Sequence, residues 1–185
     1  MTIVGIDEVG RGCWAGPLVA GAVVLRESII GLKDSKKLSK AQREKLALQI
    51  HAEALGVGIG WVDAATIDAI GLTAAVKLAM EQALNQIDAE YDEIIIDGDL
   101  NFFPENVKAK AVIKADDSVP EVSAASIVAK VARDQYMANL VDHYPDYGFE
   151  KHVGYGTALH LERLKLHGIC DLHRQSFKPI RALLQ

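Results

Sequence analysis

Cysteine is scarce in this chain: Cys13 and Cys170 are the only two in 185 residues, and no Cys-x-x-Cys pair exists. A disulfide framework and a zinc site are therefore not expected, and both thiols read as reduced. Long hydrophobic runs are also missing. Leu18 to Leu25, among the longest, falls far short of the roughly 20 apolar residues that span a bilayer, so no membrane association is expected. No basic stretch followed by an apolar core opens the chain, which sets aside a secretory signal and makes the cytoplasm the expected location. Glycine and proline together account for only 20 residues, too few for a fibrous or disordered chain. Positive charge is not in excess either. The 20 lysines and arginines face 25 acids, a net charge of −5, which at face value argues against a broad electrostatic footprint for nucleic acid. The chain also lacks a Gly-x-x-x-x-Gly-Lys-Ser/Thr loop, a His-Glu-x-x-His pair and a Gly-x-Ser-x-Gly elbow, so nucleotide hydrolysis, zinc proteolysis and serine hydrolysis have no mark here. The six histidines read as having no metal-ligand spacing.

What is present is the make-up of a packed chain, half hydrophobic and 24% charged, of a length that fits one domain over residues 1–185. Ile3 to Val9, Leu18 to Leu25 and Leu55 to Val62 are short β-branched runs punctuated by glycine and predict three strands. Ser39, with Gln42 three residues on, predicts a capping box and a helix to about Ala54. From Leu72 to Ile87 apolar residues recur at spacings of three and four, an amphipathic helix. Glu93 to Asp97 and Val107 to Ile113 predict a fourth and a fifth strand. A helix is expected from about Glu121 to Val141, and another from a Thr157 cap to Gly168.

The chemistry is concentrated in acids. Asp7 and Glu8 interrupt an apolar strand, and burying adjacent carboxylates costs several kcal/mol unless a cation or donors compensate. Asp97 and Asp116 follow apolar strands, and strand ends in open α/β sheets are where ligands bind. Such hard oxygen donors suit Mg²⁺ or Mn²⁺, and paired ions about 3.5–4 Å apart serve phosphodiester hydrolysis. Because strand side chains alternate, Asp7 and Glu8 are expected to meet only at a strand end or an irregularity. With the four acids set aside, 20 basic residues face 21 acidic ones, so the charge objection to a nucleic-acid substrate becomes local.

Asp7-Glu8-Val9-Gly10-Arg11-Gly12 resembles the opening motif of ribonuclease HII, a bacterial type 2 ribonuclease H. Further motifs of that family follow in order: Asp34-Ser35-Lys36-Lys37-Leu38, Ile96-Asp97-Gly98, Lys114-Ala115-Asp116, Ala124 to Lys130, Gly154-Tyr155-Gly156-Thr157 and His173-Arg174-Gln175-Ser176-Phe177. The resemblance implies an α/β, ribonuclease-H-like fold: a five-stranded mixed sheet flanked by helices, with a helical C-terminal region. It implies Asp7, Glu8, Asp97 and Asp116 as catalytic metal ligands for two divalent ions, Mg²⁺ or Mn²⁺. It places Gly10, Arg11 and Gly12 on the ribose 2′-hydroxyl and junction phosphate, Tyr155 on the neighbouring sugar, and Lys36 among the substrate-binding residues; a 2′-hydroxyl contact distinguishes RNA from DNA. Two positions depart from the pattern: Val153 stands in place of a common lysine and Ala115 in place of a common glycine.

The implied activity is endonucleolytic hydrolysis of the RNA strand of RNA–DNA hybrids and cleavage at single ribonucleotides in duplex DNA, leaving 3′-hydroxyl and 5′-phosphate ends. The expected partner is that nucleic acid, bound by a monomer. With six residues ahead of Asp7, the amino-terminal substrate-binding domain of the related ribonuclease HIII is not expected. The alternative is a catalytically silent nucleic-acid-binding module of the same fold. Among neighbouring candidates, Asp99 reads as a charged turn, Asp134 as either an assistant to the site or an exposed helix residue, Trp14 and Trp61 as core, and Cys13 as a buried filler. Lys36, Lys37, Lys40 and Arg43 read as a solvated helix face.

Overall fold

The computed structural model describes residues 1–184. Five strands, β1 (Ile3–Val9), β2 (Leu18–Val24), β3 (Gly56–Val62), β4 (Glu93–Asp97) and β5 (Ala109–Val112), form one mixed sheet in the order β3-β2-β1-β4-β5. β1, β2 and β3 are antiparallel neighbours, whereas β4 runs parallel to both β1 and β5. The fifth strand is shorter than its apolar run predicts: Val107 and Ile113 are exposed, so only its middle pairs.

Among the described residues there are eight α-helices in chain order: α1 (Lys40–Glu53), α2 (Ala64–Ile70), α3 (Leu72–Leu84), α4 (Ala115–Ser118), α5 (Pro120–Asn139), α6 (Phe149–His152), α7 (Ala158–His167) and α8 (Lys178–Arg181). The predicted capping box opens α1, with Ser39 Oγ accepting from Gln42 N and Gln42 returning to the Ser39 amide. α2 has an N-cap signal that periodicity does not carry, Asp63 accepting from the Thr66 amide at 2.7 Å, and α6 is too short for any periodicity. Among the described residues no helix is long and apolar enough to cross a membrane.

The sheet is covered on both sides, which is why β2 is buried along its whole length. α5 lies so close to β1 that a Cβ on Gly5 would sit 2.1 Å from the Glu121 backbone. On the other face a Cβ on Gly60 would sit 1.9 Å from the Ala79 carbonyl of α3. Odd-numbered β1 residues therefore face α5, while Val4 and Ile6 pack with α3. The outer edge of β3 is closed by side chains: Gln86 donates to and accepts from Ile59, and Gln82 accepts from the Trp61 amide. These glutamines fill the Ile59 amide and carbonyl and the Trp61 amide, which reduces the free donors and acceptors that make an edge strand prone to pairing. The C-terminal helices build their own apolar cluster around Phe149, Leu164 and Ile180, packed against the end of α5 and the chain between β1 and β2.

Candidate active site

The register of the parallel pair decides where the acids meet. β1 and β4 pair from Ile3–Glu93 to Ile6–Ile96, so Asp7 and Asp97 are the next residues on each strand, side by side at the C-terminal ends. The third acid comes from α4. Asp97 accepts from the Ala115 amide at 2.8 Å and, at 3.5 Å, from the Asp116 amide, so one acid fixes the helix that carries another. Ser123 Oγ donates to the Asp116 carbonyl at 2.6 Å, tying α4 to α5. The result is a group of three carboxylates, Asp7, Asp97 and Asp116, each offering an oxygen within 4.8 Å of the others.

Bringing them together has an electrostatic cost. The Asp7 carboxyl is pushed well above its usual range by burial first and then by the charges of Glu8 and Asp97, with the Ser126 hydroxyl pulling the other way. Asp116 is raised by burial, then by Asp97 and Asp34, while Lys36 draws it down. A buried cluster of hard oxygen donors whose charges oppose one another matches a divalent cation.

Glu8 stands apart from that trio. β1 pairs regularly with β2 as far as Val9–Val19, so no bulge turns Glu8 onto the face of Asp7, and its carboxylate takes the Arg11 guanidinium at 3.0 Å. Burial raises its carboxyl, Arg11 lowers it, and Asp97 raises it again. It is thus an electrostatic neighbour of Asp97, placed beside the group and not within it.

Next to the acids runs the loop from Gly10 to Pro17, and two arginines without a carboxylate partner among the described residues hold it. Arg133, fully buried, donates to the carbonyls of Pro17, Val153 and Ala15 at 2.8, 2.8 and 3.1 Å. Arg174, also fully buried, donates to those of Gly10 at 2.7 Å, Arg11 at 3.2 Å and Gly16 at 2.9 and 3.0 Å. With its carbonyls turned inward, the loop leaves the amides of the exposed residues Arg11 and Gly12 without an acceptor among the described residues.

Tyr155 borders the same loop. Its ring is 37% exposed, with Lys130 Nζ 5.2 Å and the Arg133 guanidinium 5.8 Å from its centroid, and burial together with Cys13 raises its hydroxyl to about 12. Lys130 in turn pairs with Asp134 at 2.8 Å. Asp134 therefore bears on Tyr155 through Lys130 and is not among the clustered acids. Trp14 lies under Gly156, where a Cβ would come within 2.1 Å of the indole.

Other candidates separate in the same way. Asp99 is exposed and outside the acid group. Cys13 is a fully buried filler. Trp61 is not core: it is 36% exposed and packs on Tyr136 at 5.5 Å beside Pro17, because β3 is an edge strand. The basic quartet is not a uniform solvated face. Lys37 pairs with Asp117 and Lys40 with Glu44, while Arg43 donates to the Ser35 and Leu38 carbonyls. Exposed Lys36, close to Asp116, makes no ion pair among the described residues. Ala115 takes the helical conformation, fully buried, so glycine is not needed there. Val153, by contrast, sits at φ 44°, a left-handed conformation rare for a β-branched residue. Sequence reasoning missed the roles of Arg133, Arg174 and Ser126, although all lie in or beside the quoted motifs. It also missed a cluster of three buried histidines, 152, 160 and 173. The Cys-x-x-His spacing of Cys170 and His173 was the only available signal.

Comparison with known proteins agrees along the whole length. A ribonuclease HII of Bacillus cereus is 46% identical over 185 residues, 99% of this chain and 71% of that protein. The ribonuclease H2 of Pyrococcus horikoshii superposes with a TM-score of 0.83 at 29% identity, covering 99% of this chain and 97% of that one. The fold, though not more, is shared with Bst-RNase HIII in complex with Mn²⁺, at a TM-score of 0.78 and 22% identity over 100% of this chain and 69% of that one. The family model for ribonuclease HII matches residues 4–180, which contain both the acids and every loop that surrounds them, and the chain belongs to the ribonuclease HII family of ribonuclease H hydrolases.

Proposed function

We propose that the chain is a metal-dependent endoribonuclease that hydrolyses the RNA strand of RNA–DNA hybrids and cuts at single ribonucleotides embedded in duplex DNA, leaving 3′-hydroxyl and 5′-phosphate ends. The observation that carries this reading is the convergence of Asp7, Asp97 and Asp116 beside a loop with outward-facing amides. Asp7, Asp97 and Asp116, with Glu8 alongside, would hold Mg²⁺ or Mn²⁺. Bound there, such ions would supply activation of a water nucleophile and stabilisation of the charge on the leaving oxygen.

The chain's own residues do the rest. Asp97, by holding the start of α4, keeps Asp116 at fixed distance from Asp7. The free amides of Arg11 and Gly12 supply donors for a 2′-hydroxyl and the adjoining phosphate, groups that distinguish a ribonucleotide from its deoxy neighbours. The Tyr155 face offers a stacking surface for the next sugar, and Lys36 a cation for a phosphate. The chain acts as one catalytic domain and as a monomer in the cytoplasm.

The test is cleavage, with and without Mg²⁺ or Mn²⁺, of an RNA–DNA hybrid and of a DNA duplex carrying one ribonucleotide. Metal-dependent cutting 5′ of the ribonucleotide is expected. Binding of both duplexes without cutting under any metal would establish the silent binding module instead.

A further inference from the structure

His152 ends α6, His160 lies in the first turn of α7, and His173 sits in the segment after it; all three are buried. Their rings touch in a row, with His152 stacked on His160 at 4.2 Å between centroids and His160 Nε2 3.0 Å from His173 Nε2. Hydrogen-bond distances assign the protons, and at His173 Nδ1, which also lies 3.2 Å from both the Cys170 thiol and the Cys170 carbonyl, the shorter contact from the Cys170 amide decides. His160 Nδ1 lies 2.9 Å from the Tyr155 carbonyl, an acceptor only, so Nδ1 carries the hydrogen and Nε2 must accept. His173 Nε2 must then donate to it, which agrees with His173 Nδ1 accepting from the Cys170 amide at 2.9 Å. His152 Nε2 faces the Tyr147 carbonyl at 2.9 Å, and its Nδ1 accepts from the Gly154 amide at 3.2 Å. In this assignment each ring is neutral and in one tautomer; a proton added to His160 sets two N–H groups against each other, and one added to His152 or His173 displaces a backbone donor, although at His173 the Cys170 carbonyl lies within reach at 3.2 Å.

The outputs of this row converge on one segment. His152 holds the amide of Gly154 and His160 holds the carbonyl of Tyr155. The Gly154 carbonyl in turn accepts from the amides of Trp14 and Ala15, in the loop that carries Arg11 and Gly12. The imidazoles thus grip the Gly154–Tyr155 segment, and through the Gly154 carbonyl that segment holds the neighbouring loop, without an imidazole bonding to the acids.

We propose that His160, backed by His152 and His173, is a positioning residue for ribonucleotide cleavage: a chain of neutral imidazoles with fixed tautomers that sets the Gly154–Tyr155 segment against the loop of Arg11 and Gly12. The proposal rests on the substrate reading above. Burial holds His160 and His173 down at about 4 and lowers His152, in keeping with rings that stay neutral at working pH. The charged and titratable groups facing the row are Glu150 of α6, Asp171 and Cys170 before His173, and Tyr147 ahead of α6. Asp171 accepts from Tyr144 and Glu150 lies beside Lys151, so neither carboxylate bonds an imidazole.

Two measurements on the full chain test it. Long-range ¹H–¹⁵N NMR of the metal-free, substrate-free protein should show hydrogen on Nδ1 of His160 and on Nε2 of His152 and His173, unchanged between pH 8 and pH 5. A different tautomer at His160, or titration of His160 above pH 6, overturns the proposal. Cleavage of a duplex with one ribonucleotide is then compared per folded molecule. His160→Gln, which keeps an amide near Nε2 but offers nothing to the Tyr155 carbonyl, should lower kcat/KM at least tenfold. His160→Asn, whose amide nitrogen falls near Nδ1, should recover most of that loss. Equal rates for His160→Gln and wild type, or equal losses for the two variants, overturn the positioning role. Wild-type protein that shows the expected tautomers yet cuts no ribonucleotide overturns the substrate reading and the positioning role with it.

Discussion

Gly10→Ala is a one-carbon change whose cost can be worked out from its surroundings. Gly10 has φ +92°, and a Cβ there would lie 2.5 Å from Arg133 Nε and 3.0 Å from the Pro17 carbonyl. Holding an L-residue in that conformation costs about 1–3 kcal/mol. The neighbour cannot retreat cheaply, because Arg133 is fully buried and bound to three carbonyls. Losing one such bond to a charged donor costs about 1.5–3 kcal/mol, so the total is roughly 3–6 kcal/mol against a typical stability of about 5–15 kcal/mol. For a chain of this size that corresponds to a fall in Tm of roughly 6–24 °C, at about 2–4 °C per kcal/mol. Arg11→Ala removes an exposed pair with Glu8 worth about 0–1 kcal/mol, and should barely move Tm. Melting curves of the two variants are compared first. Single-turnover cleavage of a duplex with one ribonucleotide follows, normalised to folded protein, where Gly10→Ala should lose more activity than Arg11→Ala and Gly10→Val more still. A Gly10→Ala protein that melts within about 2 °C of wild type and cleaves at its rate would refute the reasoning.

Asp7→Asn should abolish metal-dependent cleavage yet raise the Tm of the metal-free protein. Because the folded Asp7 carboxyl is raised above 3.8, its contribution to stability is fullest below that value and is lost as pH rises toward the folded one; the variant should lack this loss and gain less Tm from added Mg²⁺. Tyr155→Ala removes a stacking face and should slow cleavage by an amount on the order of 1–3 kcal/mol; a large Tm loss with unchanged cleavage per folded molecule would leave Tyr155 only a structural role. Gln86→Ala frees both backbone groups of Ile59, which should cost about 1 kcal/mol and increase self-association seen by light scattering.

Glycine punctuation and β-branched runs located all five strands because each is set by local pattern, and Ser39-x-x-Gln42 located the start of α1 because a capping box is a local device. What periodicity left out was contact geometry. Asp63 needed Thr66 in helical register to be read as the cap of α2. The alternation of strand side chains predicted that Asp7 and Glu8 would part unless the strand broke; the strand does not break, and they part, with Glu8 turning to Arg11. The meeting of Asp7 with Asp97 was legible only as two strand ends, since parallel register is a property of the sheet and not of either segment. Trp61 was misread as core because exposure depends on which strand lies at the edge. The three histidines were illegible for a similar reason: they lie 8 and 13 residues apart, and only the folding of α7 back on the chain before Arg174 brings His160 to His173.

The charge of the chain finds its explanation in the same long-range contacts. A net charge of −5 is a poor footprint for a polyanion, yet two buried arginines bind the carbonyls of the loop that directly follows the strand of Asp7 and Glu8. Arg133 and Arg174 have no carboxylate partner among the described residues, and burial depresses Arg174 to about 10, so two guanidinium groups bonded to backbone carbonyls lie under the loop of Gly10 to Pro17. Burying a cation this way is costly unless its donors are filled, and here backbone carbonyls fill them. That choice of acceptor has a consequence for the opposite side of each peptide. A carbonyl turned toward a buried guanidinium turns the following amide away from it, so the Gly10 and Arg11 carbonyls bound by Arg174 leave the Arg11 and Gly12 amides facing out. The loop then presents donors backed by positive charge, an arrangement suited to phosphate. Replacing Arg174 by lysine would keep the charge but not the fork that reaches Gly10, Arg11 and Gly16 together. Arg174→Lys is therefore expected to weaken binding of a duplex with one ribonucleotide, measured with Ca²⁺ in place of Mg²⁺, more than Lys36→Ala does. Equal or smaller weakening by Arg174→Lys in a folded protein would show that net charge near the site, and not the orientation of the loop, governs binding.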